Sequence, residues 1–220
     1  MEENLMKRVF MSGLGVIICG ISVGMFKHAA LGVDPFQSLM SGLDAVVPVR
    51  FGTLYVIANL ILLVFALIFD RHKIGLATLI NLFLLGYIAE YSQHLFERLL
   101  PSPALPVRLI LLGVAIVIMC LASAFYFTAD LGVSTYDAVA LIWSEKQQKI
   151  PFAVCRVITD FSCVLTGVLL CRTAGFSLQE IAGVVGIGTI ITAFFMGPLI
   201  EVFNKKIAEP FLRGQDAKRL

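Results

Sequence analysis

Long apolar runs alternate with short polar breaks along the whole chain. Six runs, at about 9–28, 51–69, 74–92, 107–128, 152–171 and 181–203, are long enough to cross a bilayer, which at 1.5 Å per helical residue takes roughly 20 residues. The pattern predicts an all-α, polytopic helical membrane protein. Two further segments, 34–47 and 134–147, carry polar side chains (Gln37, Ser38, Ser41 and Asp44; Ser144 and Glu145). At about fourteen residues each they make roughly 20 Å of helix against a hydrocarbon core of roughly 30 Å, so they are predicted as half-spanning or re-entrant.

The breaks repeat. Leu31-Gly32-Val33-Asp34-Pro35-Phe36 returns as Leu131-Gly132-Val133-Ser134-Thr135-Tyr136, after apolar runs that start in register at Gly13 and Gly113. Gly75-Leu76-Ala77-Thr78, then Gly86 and Glu90, is echoed by Gly186-Ile187-Gly188-Thr189, Gly197 and Glu201. The chain is therefore predicted to be two tandem structural repeats, each of three long spanning helices and one short helix, and duplicated membrane units place their sites where the copies meet. The boundaries are residues 1–100, a proline-rich linker at 101–106, residues 107–204, and a tail at 205–220. The second copy carries an insertion at 173–180, predicted as a helical turn capped by Ser177 with Glu180 completing the box.

Each short helix has a start signal. Asp34 is an N-cap with Pro35 at the first helical position, and Ser134 with Asp137 three residues on is a capping pattern. Both starts follow a glycine turn. If the short helices re-enter without crossing, each copy has three spans and the copies are inverted; if they cross, each has four and the copies run parallel. The loop Lys and Arg bias is similar for both layouts.

Composition sharpens the membrane reading. Hydrophobic residues make up 59% of the chain and charged residues 15%, more apolar side chain than a soluble domain of this size buries. A net charge of +2, with Lys and Arg mostly in short loops and tails rather than on one face, gives no nucleic-acid surface. Lys7 and Arg8 before the first span, and Lys205, Lys206, Arg213, Lys218 and Arg219 after the last, predict cytoplasmic termini in the cell membrane and an even number of crossings. The first run has no small-residue cleavage site and reads as a retained span. Cys19, Cys120, Cys155, Cys163 and Cys171 lie in or at the end of apolar spans with no metal-ligand spacing, so they read as small packing residues, with no metal and no cofactor implied.

Polar groups inside apolar spans are the candidates for chemistry. Arg156 and Asp160 are four apart on one helical face, and a charge at mid-span costs roughly 2.5–3.5 kcal/mol on insertion scales unless it meets a partner or a wet cavity. The position matched to Asp160 in the first copy is Asn59. The pair reads either as a structural fastening or as a solute- or ion-coupling group. Helix starts present free N–H groups and positive dipole ends. The start at Asp34 therefore reads as a cation or proton site and the one at Ser134 as an anion site, or both simply as caps. Asp34, Ser38, Asn59, Ser134, Tyr136, Asp137, Arg156 and Asp160 form the predicted solute site. Thr78 and Thr189 are predicted to bond a carbonyl one turn back, with Gly75, Ala77, Gly186 and Gly188 packing helices, as do Gly20 and Gly24. Glu90 and Glu201, near span ends, read as interfacial carboxylates or as coupling groups. Asn81 and Thr192 match each other. No nucleophile–base pair, zinc-protease motif or phosphate-binding loop occurs, so neither an enzyme nor a self-sufficient ATP-driven pump is expected.

The paired Leu-Gly-Val turns, Phe51-Gly52-Thr53 after the first short helix, and Gly186-Ile187-Gly188-Thr189 running to Gly197-Pro198-Leu199-Ile200 resemble the YitT/YczE family of bacterial membrane proteins over nearly the whole chain. Members of the YitT branch often add a soluble C-terminal domain, so a chain stopping at Leu220 is similar to the shorter YczE type. The resemblance implies an integral membrane protein for which transport is the role usually considered. First-copy Leu85-Gly86-Tyr87 lacks the proline found at Pro198.

Together these readings predict a secondary carrier for a small polar or charged solute, with a proton or sodium ion as candidate coupling ion. The alternative is a non-transporting scaffold or substrate-capturing accessory subunit of a larger complex. The lipid bilayer and a small solute are the expected partners, and a homo-oligomer is left open.

Overall fold

In the computed structural model, which describes residues 2–147, 150 and 152–213, every regular element described is helical. The helices are α1 (Glu2–Ala29), α2 (Pro35–Val46), α3 (Phe51–Phe69), α4 (Leu76–Leu99), α5 (Leu105–Ala129), α6 (Thr135–Gln147), α7 (Phe152–Thr173), α8 (Leu178–Val184), α9 (Ile187–Phe203) and α10 (Glu209–Arg213). Turns of 3-10 helix at Arg71–Lys73 and π-helix at Asn204–Ala208 complete the set. The described residues are thus all-helical, as predicted.

Among the described residues, five segments are long and apolar enough to cross a membrane: Leu5–Ala29, Phe51–Phe69, Leu105–Ala129, Val154–Thr173 and Leu178–Leu212. Six runs were predicted, and the one at 74–92, which forms α4, is not among the five. Asn81, Glu90, Ser92 and Gln93 dilute its apolarity. The same residues work inside the bundle, where α4 packs against both α1 and α3. The Ser92 hydroxyl lies 3.1 Å from the Gly20 carbonyl, and a Cβ on Gly20 would fall 2.7 Å from the Ile88 side chain. Gly20 and Gly24 therefore do let two helices approach closely. The last predicted run, 181–203, is broken at Val185 and Gly186 into α8 and α9. The predicted tail at 205–220 is helical through residue 213 and packs on α5, while residues 214–220 lie outside the described residues.

Contacts fix the direction of the long helices. Gly15 packs on Ala122 and Tyr126, the Cys19 Sγ lies 3.2 Å from the Met119 sulfur, and the Ser22 hydroxyl donates to the Ala115 carbonyl at 2.7 Å, so α1 and α5 are antiparallel. Gly20 meets Leu85 and Ile88 while Gly24 meets Ser92, so α1 and α4 are parallel; Gly52 meets Tyr87 while Tyr55 meets Gly86, so α3 runs the other way. One end of the bundle gathers Arg8, Ala129, Thr128 and Asn204, and the other gathers Lys27, Phe51, Ala29 and Arg108. Arg8 donates to the Ala129 carbonyl and Arg108 to the Ala29 carbonyl, each closing the end of the opposite long helix and satisfying carbonyls a helix C-terminus leaves unpaired.

The glycine turns take matching backbone shapes. Ala30 and Asp130 have φ of 49° and 51°, and Gly32 and Gly132 have 104° and 105°. Only glycine adopts the latter comfortably, and here a Cβ would also fall 2.6 Å from the Gly186 nitrogen or 2.5 Å from the Gly75 nitrogen. Each turn is stitched to a helix start of the other half. Val33 N–H donates to Val184 and Gly188 N–H to Leu31; correspondingly Val133 N–H donates to Lys73 and Ala77 N–H to Leu131. Thr78 accepts the Gly75 N–H and donates to the Val133 carbonyl at 2.6 Å, and Thr189 accepts the Gly186 N–H and donates to Val184 at 3.3 Å. Both threonines therefore cap their helix starts: Thr78 does so in place of the predicted bond one turn back, while Thr189 also reaches back to the carbonyl five residues before it.

The short helices also cross over. Gly42 and Ser38 of α2 press against Gly167 of α7, while Ala138 and Ile142 of α6 pack on Ala66 of α3. At 12 and 13 residues they measure roughly 20 Å. The insertion forms α8, with Ser177 and Glu180 exchanging both bonds of the predicted capping box. Large apolar side chains face outward on α3, α7 and α9, including Ile61, Ile68, Phe161, Phe194 and Phe195, a surface fit for lipid rather than water.

Candidate binding cavity

A cavity of about 340 Å³ opens where the halves meet, walled by α1, α3, α4, α5, α7 and α9 and by the starts of α2 and α6. Its lining includes Asp34, Asn59, Ser134, Tyr136, Asp137, Arg156 and Asp160, seven of the eight predicted site residues. The eighth, Ser38, is buried on α2 away from the lining, and its hydroxyl is occupied by the Asp34 carbonyl at 3.1 Å and the Val184 carbonyl at 3.5 Å. It positions the first helix start instead of facing the space. Asn81 and Thr192 also line the cavity.

The charged residues form a knot. Arg156 Nε lies 3.1 Å from Asp160 Oδ1, the i, i+4 pair read from spacing, and its other arm reaches Asp137 on α6. Its guanidinium also lies over the Tyr136 ring, 4.5 Å from the centroid, while the Tyr136 hydroxyl donates to Asp160 at 2.6 Å. Ser134 accepts the Asp137 N–H and donates to Asp137 Oδ2 at 2.6 Å. The start of α6 thus already faces the chain's own carboxylate. An anion site there, one of the two predicted readings, is filled from within.

The start of α2 differs. Asp34 accepts the Gln37 N–H at 3.1 Å as an N-cap and makes no ion pair within 4 Å among the described residues. Gln37 is 3% exposed, lines the cavity, and its side-chain carbonyl has no hydrogen-bond partner among the described residues. Asn59 is spent, with its amide donating to Tyr55 and accepting from Thr135. Phe36 joins the walls by stacking on Tyr136 at 4.9 Å and meeting Tyr55 edge-on at 5.8 Å. Gln37, Tyr55, Met119 and Tyr126 were not among the predicted site residues. The aromatic and sulfur side chains sit inside apolar runs and look like core; Gln37, three positions after the cap, was the visible signal.

Residues 6–205 match the protein family described as a family of unknown function, DUF6198. The chain belongs to that family. The uncharacterized protein YyaS of Bacillus subtilis (strain 168) is 26% identical to this DUF6198 chain over 205 residues, covering 91% of it and 94% of YyaS. The uncharacterized membrane protein YczE of the same organism is 23% identical over 203 residues, 91% of this chain and 87% of YczE. An uncharacterized protein of Haemophilus influenzae is 26% identical over 192 residues, 87% and 80% of the two chains. No solved structure matches. The likeness to YczE agrees with the family resemblance read from the motifs. With five segments among the described residues long and apolar enough to cross a bilayer, this DUF6198 chain is an integral, multi-pass membrane protein.

Proposed function

We propose that the chain is a secondary carrier, moving a small polar or charged solute through the cavity between two inverted copies of one membrane unit. The observation that carries the reading is an asymmetry around the cavity. α3 is sealed to α4, where Tyr55 packs on Gly86, Gly52 on Tyr87, and Glu90 accepts the Gly52 N–H at 2.9 Å. Among the described residues no such seam joins α7 to α9: Gly197, matched to Gly86, has nothing within 4 Å of where its Cβ would lie, and Met196, Gly197 and Ile200 line the cavity. A site shut at one end of the bundle and open at the other is one half-cycle of alternating access. Inversion is supported by the antiparallel run of α1 and α5, which meet at the matched residues Cys19 and Met119.

The end that gathers Arg8 and Asn204 also carries Lys205 and Lys206, and these charges flanking both termini support reading it as cytoplasmic in the cell membrane by the positive-inside rule. The open side then faces the cytoplasm. The test is uptake into proteoliposomes of those amino acids, vitamins, amines and organic acids that raise the melting temperature of the purified chain. Flux of a binder that is lost in Asp160→Asn and Arg156→Ala, with folding retained, is the expected result. Binders that the folded chain never moves would leave it a scaffold or substrate-capturing subunit.

A further inference from the structure

We infer that the cavity takes a small organic cation, an ammonium group on an apolar body, with the ammonium held by the Asp34 carboxylate and the Gln37 side-chain carbonyl. This deepens the carrier reading and rests on it for direction of movement, though not for binding.

The argument is one of unmet hydrogen bonds and charge. Three carboxylates, Asp34, Asp137 and Asp160, line the space against one basic residue, Arg156. Arg156 is already engaged by Asp137 and Asp160, and both of these also accept from neighbouring hydroxyls. It therefore has no free fork to offer a solute carboxylate. Among the described residues Asp34 makes no ion pair within 4 Å, and Gln37, whose backbone N–H Asp34 accepts, is 3% exposed with no donor to its side-chain carbonyl. A buried acceptor left empty costs roughly 1–3 kcal/mol, more when charged. What the site lacks is a group that donates several N–H bonds and carries positive charge, and an ammonium does both.

The rest of the wall says what the ammonium is attached to. Val16, Cys19, Val23, Phe36, Tyr55 and Met119 supply apolar and aromatic surface, on which a desolvated cation gains further from ring faces. A space of about 340 Å³ is roughly the share of eleven waters at ~30 Å³ each, room for a ligand of about ten non-hydrogen atoms.

The experiment is equilibrium binding to the full chain in nanodiscs, by calorimetry, with three probes of one shape: 2-phenylethylammonium, neutral 2-phenylethanol and anionic phenylacetate. The expected result is saturable binding of the ammonium, at least tenfold tighter than either of the others. Asp34→Asn should lose tenfold or more in affinity with its melting temperature unchanged in the absence of ligand, because asparagine still caps α2. Gln37→Met should lose a few-fold. Phenylacetate binding as tightly as the ammonium, or Asp34→Asn and Gln37→Met both binding the ammonium undiminished, would overturn the inference. An anion that binds and crosses the membrane would sink this inference and leave the carrier; an ammonium that binds but never crosses would sink the carrier and leave the ligand class.

Discussion

The two halves of the chain share their turns, caps and helix order, yet the seam between the last two long helices of each half is built differently. In the first half α3 lies sealed on α4; in the second α7 stands away from α9 and the cavity reaches the gap. Matched residues do opposite jobs. Tyr55 packs on Gly86, whereas Arg156, one copy later, turns toward Asp137 and Asp160 while Gly197 stays uncovered. Glu90 holds the start of α3, whereas Glu201 pairs with Lys205 on its own helical segment. The turns match while the seam residues differ, Tyr55 against Arg156 and Asn59 against Asp160, so the comparison can be broken residue by residue.

The largest effect is expected from locking the sealed side. A Cβ on Gly52 would fall 2.4 Å from the Tyr87 ring, so in a background with the five native cysteines replaced, Gly52→Cys with Tyr87→Cys brings two thiols within bridging reach. Oxidation should bring proteoliposome flux to the protein-free level and reductant should restore it. Full flux from the cross-linked protein would mean this seam never opens.

Next comes the charge knot. Arg156→Ala leaves Asp137 and Asp160 without their shared cation, and the loss should fall at the lower end of the ~3–5 kcal/mol expected for an uncompensated buried charge, because the cavity wets the site. Removing both carboxylates with it, as Asp137→Asn and Asp160→Asn, should recover much of that stability in a denaturant titration. Arg156→Lys should recover only part, having a point charge in place of a fork.

How much of this was legible beforehand follows from what kind of signal each part leaves. The glycine turns, the caps at Asp34, Ser134 and Ser177, and the helix order are local and repeat in register, so residue identity alone exposes them. The Arg156–Asp160 pair was readable from i, i+4 spacing, but the arrival of Asp137 from another helix was not, because spacing says nothing of neighbours distant in sequence. Ser38 was misplaced for the same reason: its apparent exposure on a polar face ends where the Val184 carbonyl of the other half covers it. The α4 helix betrays the limit of hydropathy, since a helix buried between two others can afford Asn81 and Ser92. Above all, two copies with the same motifs give no hint of which seam is shut.

The third test compares glycines. Gly86→Ala puts a methyl 2.6 Å from the Tyr55 Cβ, and overpacking of this kind costs about 1–3 kcal/mol. Gly197→Ala meets nothing within 4 Å and should leave melting unchanged. If the open side closes during transport by packing α7 on α9, the silent substitution should nevertheless slow flux several-fold. Unchanged flux in Gly197→Ala would show that α9 never makes the contact that α4 makes.

The smallest effect should come from the glutamates. Glu90→Gln keeps an acceptor for the Gly52 N–H but loses its charge, a difference of about 1 kcal/mol between charged and neutral hydrogen bonds, or a factor of ~5 in the equilibrium between sealed and parted α3 and α4. A single cysteine at Thr53, whose hydroxyl lies 3.2 Å from that of Tyr87, reports the parting through its maleimide labelling rate, which should rise by about that factor. Glu201→Gln, on the exposed side, should leave the rate where it was. Equal responses from the two would mean that the carboxylates serve the membrane interface alike and that the seam is held by Tyr55 and Tyr87 alone.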